Sequence, residues 1–120
     1  MSALGRCFQA ALILIAAHSS AFAQQQAFRW ETDLEAAKQL VFHAASLKDA
    51  DLPCLKEASM AKLVASETAE AVCSGAIQTL GGYGYLEEFG LAKIYRDVRV
   101  CQIYEGTSDI QKILIGRALA

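Results

Sequence analysis

The chain has 120 residues, 54% of them hydrophobic and 8% aromatic, with a single proline and a formal net charge of -2. That is enough length for one domain with a core, and the charge leaves no basic footprint for nucleic acid. A chain rich in alanine and leucine and poor in proline favours packed helices over a sheet.

The first 23 residues admit two readings. Arg6 lies in a short polar start, Ala10 to Ala17 is apolar, and Ala21-Phe22-Ala23 has the A-x-A form of a signal-peptide cleavage site. The apolar run is too short to span a bilayer. The segment is therefore either the first helix of a bundle or a secretory signal removed before Gln24. Gln24 to Trp30 then looks like the start of a second helix, with a turn or more missing before Glu31. Thr32-Asp33-Leu34-Glu35 reads as a capping box. Beyond it Leu34, Ala37, Leu40, Val41, Ala44 and Leu47 trace one apolar face to about Lys48. Asp49-Ala50-Asp51-Leu52-Pro53 is a turn.

A long helix is expected from about Leu55 to Leu80. Ala58, Ala61, Val64, Ala65, Thr68, Val72 and Gly75 form a small-residue stripe suited to close helix contact. Lys56, Glu57, Lys62, Glu67 and Glu70 form its polar face. Gly81 and Gly82 end it, as a C-cap would. A shorter helix spans about Leu91 to Arg99, with Arg96 and Asp97 read as a structural ion pair. A last helix runs from Thr107 to Leu119, with Ile110, Ile113 and Leu114 on its apolar face. Thr107 is its expected N-cap, and Asp109 sits in the first turn, where the helix dipole favours an anion. The expected fold is all-α, an up-and-down antiparallel helical bundle.

Four cysteines, Cys7, Cys54, Cys73 and Cys101, form neither a CxxC pair nor a metal-ligand spacing. They read as small buried apolar residues of a reducing compartment. His18 and His43 sit on alanine-rich helical stretches and read as core or surface residues, so no metal site is expected.

Two stretches carry chemistry. Gln78-Thr79-Leu80-Gly81-Gly82-Tyr83-Gly84-Tyr85 ends the long helix in three glycines and two tyrosines. Gln102-Ile103-Tyr104-Glu105-Gly106-Thr107-Ser108-Asp109-Ile110-Gln111 sets a carboxylate, Glu105, just outside a helix N-terminus, on backbone that Gly106 lets turn sharply. Exposed amides there could hold the polar edge of a ligand. By pattern alone a glutamate in that place is an ordinary solvated acid. At this separation, with Ile94-Tyr95-Arg96-Asp97 between them, the two stretches resemble the C-terminal signature of the acyl-CoA dehydrogenase family. The resemblance runs from about Glu31 to Ala120 and is most specific from Gln78 to Arg117.

That resemblance implies an enzyme using FAD to oxidise the Cα–Cβ bond of an acyl-CoA thioester. A base removes an α-proton while hydride leaves the β-carbon for the flavin. The proton is weakly acidic, so the base must be desolvated and aimed. In the family's largest branch the base is the glutamate of a Tyr-Glu-Gly-Thr segment, here Glu105. Gly106 matches the residue lying along the thioester. Thr107, Ser108 and Asp109 match a segment that contacts FAD, although the family often has Glu or Gln where Asp109 stands. Gln78, Thr79, Leu80, Gly81 and Gly82 match a segment reaching the adenosine-diphosphate part of FAD bound mainly by a neighbouring subunit. Tyr83 and Tyr85 read as packing residues.

The resemblance further implies electron-transfer flavoprotein as a partner, and either a homo-oligomer or a partner that supplies missing domains. The family's N-terminal helical domain and middle β-domain are not in this sequence. Residues 24–120 correspond to the C-terminal helical domain alone, so a fragment or one piece of a split assembly is expected. A flavoprotein normally acquires FAD before any export, which favours the helix reading of residues 1–23 and a cytoplasmic location; cleavage would make the protein exported. The competing function is a non-catalytic, degenerate helical bundle that serves in oligomerisation or partner binding.

Overall fold

The computed structural model describes residues 21–120, with side chains from Gln24 onward. The reading of residues 1–23 thus lies outside the described residues, except for the last three, which belong to the first described helix. Among the described residues every regular element is helical. They are α1 (Ala21–Asp49), α2 (Leu55–Leu80), the single turn α3 (Gly82–Tyr85), a 3-10 turn (Glu87–Phe89), α4 (Leu91–Arg99), a second 3-10 turn (Val100–Gln102) and α5 (Ser108–Arg117). The bundle expectation holds, and the expected bounds of α2 and α4 are those observed.

α1 corrects the reading of its own start. It runs unbroken through Trp30 and Glu31, so no second helix begins after Trp30. Thr32 does not cap a helix. Its hydroxyl donates to the Phe28 carbonyl one turn back, at 2.9 Å, as a threonine inside a helix does. No glycine or proline interrupts residues 24–48, so nothing stops the helix at the apparent capping box. Of the expected apolar face, Ala37 and Ala44 are buried and Leu34, Leu40 and Leu47 half-buried, while Val41 is exposed.

The α1–α2 turn reverses the chain by hydrogen bonding as well as by its proline. Asp51 takes a left-handed φ of 54°. Leu52 N–H then reaches back to the Leu47 carbonyl at 2.9 Å, and Asp51 N–H reaches Lys48 O at 3.1 Å, which satisfies the last carbonyls of α1.

α2 is the central element, packed against α1, α4 and α5. Its core neighbours are Ala69, Val72, Cys73 and Ala76 from its own length and Leu91 and Val98 from α4, with Trp30 of α1 packed on them. The Trp30 ring lies so close to Gly75 that a Cβ there would overlap it. The expected small-residue stripe therefore does meet α1. The stripe one residue on, Ser59, Ser66, Ala69, Cys73 and Ala76, is buried throughout, and Lys62 lies on it. A one-residue step turns the helix by about 100°, so α2 is packed on two adjoining stripes.

Cys54 and Cys101 are half-buried free thiols, not core residues. Cys73 is 1% exposed and is not a free thiol. The expectation of buried, reduced cysteines thus holds for the burial of Cys73 and for the free state of Cys54 and Cys101; it is corrected for the burial of Cys54 and Cys101 and for the free state of Cys73, while Cys7 lies outside the described residues. No helix of the described residues is long and apolar enough to cross a membrane.

Candidate active site

Beyond α4 the chain tightens into a 3-10 turn. The amides of Ile103 and Tyr104 both donate to Val100 O, at 2.9 and 3.2 Å. Glu105 and Gly106 then take successive left-handed conformations, φ 51° and 92°. For glutamate this costs roughly 1–2 kcal/mol, because its Cβ crowds the following carbonyl. The reversal delivers the chain to Thr107, whose hydroxyl accepts the Ile110 N–H at 3.4 Å and caps α5 as expected. Asp109 lies in the first turn. Ile110 and Ile113, expected to be packed, are nearly half-exposed, and the buried residue of α5 is the polar Gln111, 7% exposed.

Gln111 is buried because it has work on the backbone. Its Nε2 donates to Glu105 O at 3.3 Å and to Gly106 O at 3.2 Å. From α2, Lys62 Nζ donates to the same Gly106 carbonyl at 2.5 Å. One turn further along α2, Ser66 O accepts from Gln102 Nε2 at 3.2 Å. The Lys112–Glu67 ion pair, 3.3 Å, adds an exposed contact between α5 and α2 that contributes little to stability. Sequence reasoning placed Lys62 on the polar face and missed Gln111. Their signal was register: Lys62 falls on the buried stripe, four residues before Ser66.

Glu105 is one of the residues lining a cleft of about 260 Å³ against the flank of α2. Lys62, Ala65, Ser66 and Ala69 line its α2 side, and Cys101 and Tyr104 line it together with Glu105. Small side chains on α2 are what leave this space. The Tyr104 hydroxyl and Cys101 Sγ are 3.2 Å apart. That hydrogen bond holds the Tyr104 hydroxyl above its ordinary pKa, and the electrostatic effect of the Cys101 sulfur, desolvation and the Glu105 carboxylate act in the same direction.

The structure gathers Glu105, Gly106, Thr107, Ser108 and Asp109 into one turn. It does not bring Gln78, Thr79, Leu80, Gly81 and Gly82 to them. About 24 Å of helix separates Lys62 from Gln78 at the α-helical rise. Gln78, Thr79, Gly81 and Gly82 are exposed and Leu80 half-buried. Thr79 Oγ1 donates to Gly75 O at 2.9 Å. Gly81, at φ 58° and ψ −136°, ends α2 in a conformation that suits glycine. The space around Gly81 and Gly82 is open to 4 Å.

Three readings are corrected here. Tyr83 and Tyr85 are 64% and 78% exposed; Tyr83 meets only the Phe89 ring edge-on, with centroids 5.3 Å apart, among the ring contacts described. Arg96 and Asp97 do not pair with each other, because adjacent residues point to different sides of a helix. Arg96 pairs instead with Glu87 at 3.0 Å and Asp97 with Lys93. Glu70, assigned to the polar face, accepts a hydrogen bond from Tyr95.

The residues present fit a polar cofactor edge at the start of α5. Ser108 Oγ is shielded from solvent and has no hydrogen-bond partner among the described residues. Thr107 and Asp109 beside it are exposed, and the first-turn amides of a helix point at any anion or polar edge set there.

The family described as acyl-CoA dehydrogenase, C-terminal domain, matches residues 8–120. The chain belongs to that family. Subunit CarC of the caffeyl-CoA reductase–Etf complex of Acetobacterium woodii is 52% identical over 88 residues, which is 73% of this chain and 23% of that protein. The mitochondrial short-chain specific acyl-CoA dehydrogenase of Homo sapiens is 54% identical over 82 residues, 68% of this chain and 20% of that protein. The solved structure of butyryl-CoA dehydrogenase from Megasphaera elsdenii superposes with a TM-score of 0.84 at 36% identity, over 98% of this chain and 33% of that one. The chain thus spans a quarter or less of the curated relatives named here. The all-α fold read from its sequence is that of the family's C-terminal domain.

Proposed function

We propose that the chain supplies the C-terminal domain, and with it the base, of an FAD-dependent enzyme that dehydrogenates an acyl-CoA thioester between Cα and Cβ. The observation that supports it is a carboxylate-bearing residue held on a pinned left-handed turn and lining a cleft whose α2 wall includes the small residues Ala65, Ser66 and Ala69. A base for a weakly acidic carbon must be aimed before the substrate arrives, because its orientation cannot be left to chance in the transition state.

Glu105 accepts the α-proton on its carboxylate. Gly106, whose lack of a side chain leaves only backbone beside Glu105, lies along the thioester. A Cβ on Gly106 would fall 2.7 Å from Gln111 Nε2, so that position has no room for a larger residue while Gln111 holds the turn. Thr107, Ser108 and Asp109 hold the near part of FAD, with the Ser108 hydroxyl as the group in want of a partner. FAD, when bound, supplies the acceptor for the hydride equivalent lost from the β-carbon. Gln78, Thr79, Leu80, Gly81 and Gly82 present an open backbone surface to the distal part of an FAD held chiefly by another subunit. Since the chain spans so little of its relatives, surfaces outside it close the cleft and exclude water, as a second copy or as a partner carrying the other domains. An electron-transfer flavoprotein takes the electrons onward, a reading supported by the likeness to the Etf-complex subunit.

The test supplies the remaining domains by fusion or in trans and follows FAD absorbance on mixing with an acyl-CoA. Bleaching is expected. Glu105→Gln, which keeps shape and polarity but cannot take the proton, should slow it about 10²–10⁴-fold while leaving bound FAD unchanged. Equal single-turnover rates for parent and variant would place the base elsewhere.

A further inference from the structure

We infer that Lys62 is a positioning residue for Glu105: its ammonium grips the Gly106 carbonyl and fixes the turn that aims the carboxylate. The inference rests on the reading of Glu105 as the base. The contact joins residues 44 apart in sequence, at 2.5 Å, from a half-buried side chain. A charged donor on a carbonyl makes a stronger bond than a neutral one. It acts on the peptide that joins Gly106 to Thr107, at the exit of the two left-handed residues.

The geometry of that turn explains why a grip is needed. Glutamate has no intrinsic preference for φ 51°, and left alone it relaxes to the right-handed or extended region. Relaxation swings Cβ and the carboxylate away from the cleft. Two donors oppose this from different helices. Gln111, on α5, holds both the Glu105 and Gly106 carbonyls but belongs to the same local segment and moves with it. Only Lys62, among the side chains that bond these two carbonyls, ties the turn to α2, the helix that also forms the wall of the cleft. Lys62 therefore sets the carboxylate against the wall, and misplacement by about 1 Å is enough to cost about 10²-fold in rate.

The test compares the parent with Lys62→Met, which keeps the aliphatic stem without the donor, and with Lys62→Arg, which restores a cationic donor. Backbone 15N relaxation of the full chain reads the turn. Order parameters at Glu105 and Gly106 near the rigid value of about 0.85 should fall below about 0.6 in Lys62→Met and recover in Lys62→Arg. Thermal melts confirm that all three are folded. In the assembly with the remaining domains, Lys62→Met should lower kcat about 10–10²-fold with KM nearly unchanged, and Lys62→Arg should regain most of the rate.

A turn that stays equally rigid in Lys62→Met overturns the inference. So does a turn that loosens while kcat holds, or a loss of kcat that Lys62→Arg does not repair. If Glu105→Gln leaves the rate unchanged, the reading of the base fails instead, whatever the relaxation data show.

Discussion

Tyr95 shows how a single hydroxyl ties α4 to α2. It donates to Glu70 Oε1 at 2.9 Å, and that bond, with the Glu70 charge and burial behind it, raises the Tyr95 pKa above its ordinary 10.0. The folded state thus keeps the phenol proton more tightly than the unfolded state does. Stability from this group is fully present below about pH 10 and is lost as pH rises through the higher folded value. Tyr95→Phe should cost about 1 kcal/mol at neutral pH, by removal of one hydrogen bond. Denaturant titrations at a series of pH values should show the gap between parent and variant narrowing above pH 10; a gap that widened there would overturn the assignment. None of this was legible in the sequence, which shows Glu70 only as one acid among several on a helix face. The place of Glu105, against glycine just before a helix N-cap, was legible as a local pattern, whereas its reading as a base came from the family resemblance and not from that pattern. Its left-handed φ and its two clamps were not legible, because they depend on which residues of α2 and α5 come to lie beneath it.

At the scale of elements, two glycines make a controlled pair. Gly84 in the single turn α3 is buried, and a Cβ there would meet Ile77 O at 2.7 Å and Ile77 Cα at 2.9 Å, backbone that cannot step aside. Gly84→Ala should destabilise by about 1–3 kcal/mol. Gly116 in α5 has nothing within 4 Å. Gly116→Ala should stabilise by about 0.4–1 kcal/mol, since the helix gains propensity and the unfolded chain loses freedom. Chemical denaturation of both variants checks the pair, and a shift of the same sign in the two would refute it. α2 teaches a related lesson about reading periodicity. Its apolar stripe through Ala61, Ala65, Thr68, Val72 and Gly75 was visible because those residues are small and mostly apolar. The adjoining stripe through Ser59, Lys62 and Ser66 was not, because three polar residues disguise it as a solvated face. In the structure two of them have backbone to bond: Ser66 Oγ donates to Leu63 O at 3.2 Å and Lys62 reaches Gly106 O. Helix ends were more legible, because Gly81 and Thr107 act through their own chemistry.

For the molecule as a whole, the surface is what stands out. Tyr85, Leu119, Phe28, Leu55 and Tyr83 are between 64% and 78% exposed. Where such side chains join into a contiguous patch, they mark contacts with other protein. The full chain should therefore bind a hydrophobic dye and melt at a temperature that rises with protein concentration. A concentration-independent melt with no dye fluorescence would show that the surface needs no cover. Composition and period announced the helical class, but they could not announce this surface, since exposure is a property of the packed bundle.

α2 also acts as a ruler. The Lys62 end pins the Glu105 turn and the Gln78–Gly82 end presents the open backbone, so one rigid rod fixes both the distance and the angle between them. An inserted or deleted residue anywhere between would shift one end by about 1.5 Å and, more damaging, rotate it by about 100° about the axis. The segment between them should tolerate exchange of side chains far better than any change of length.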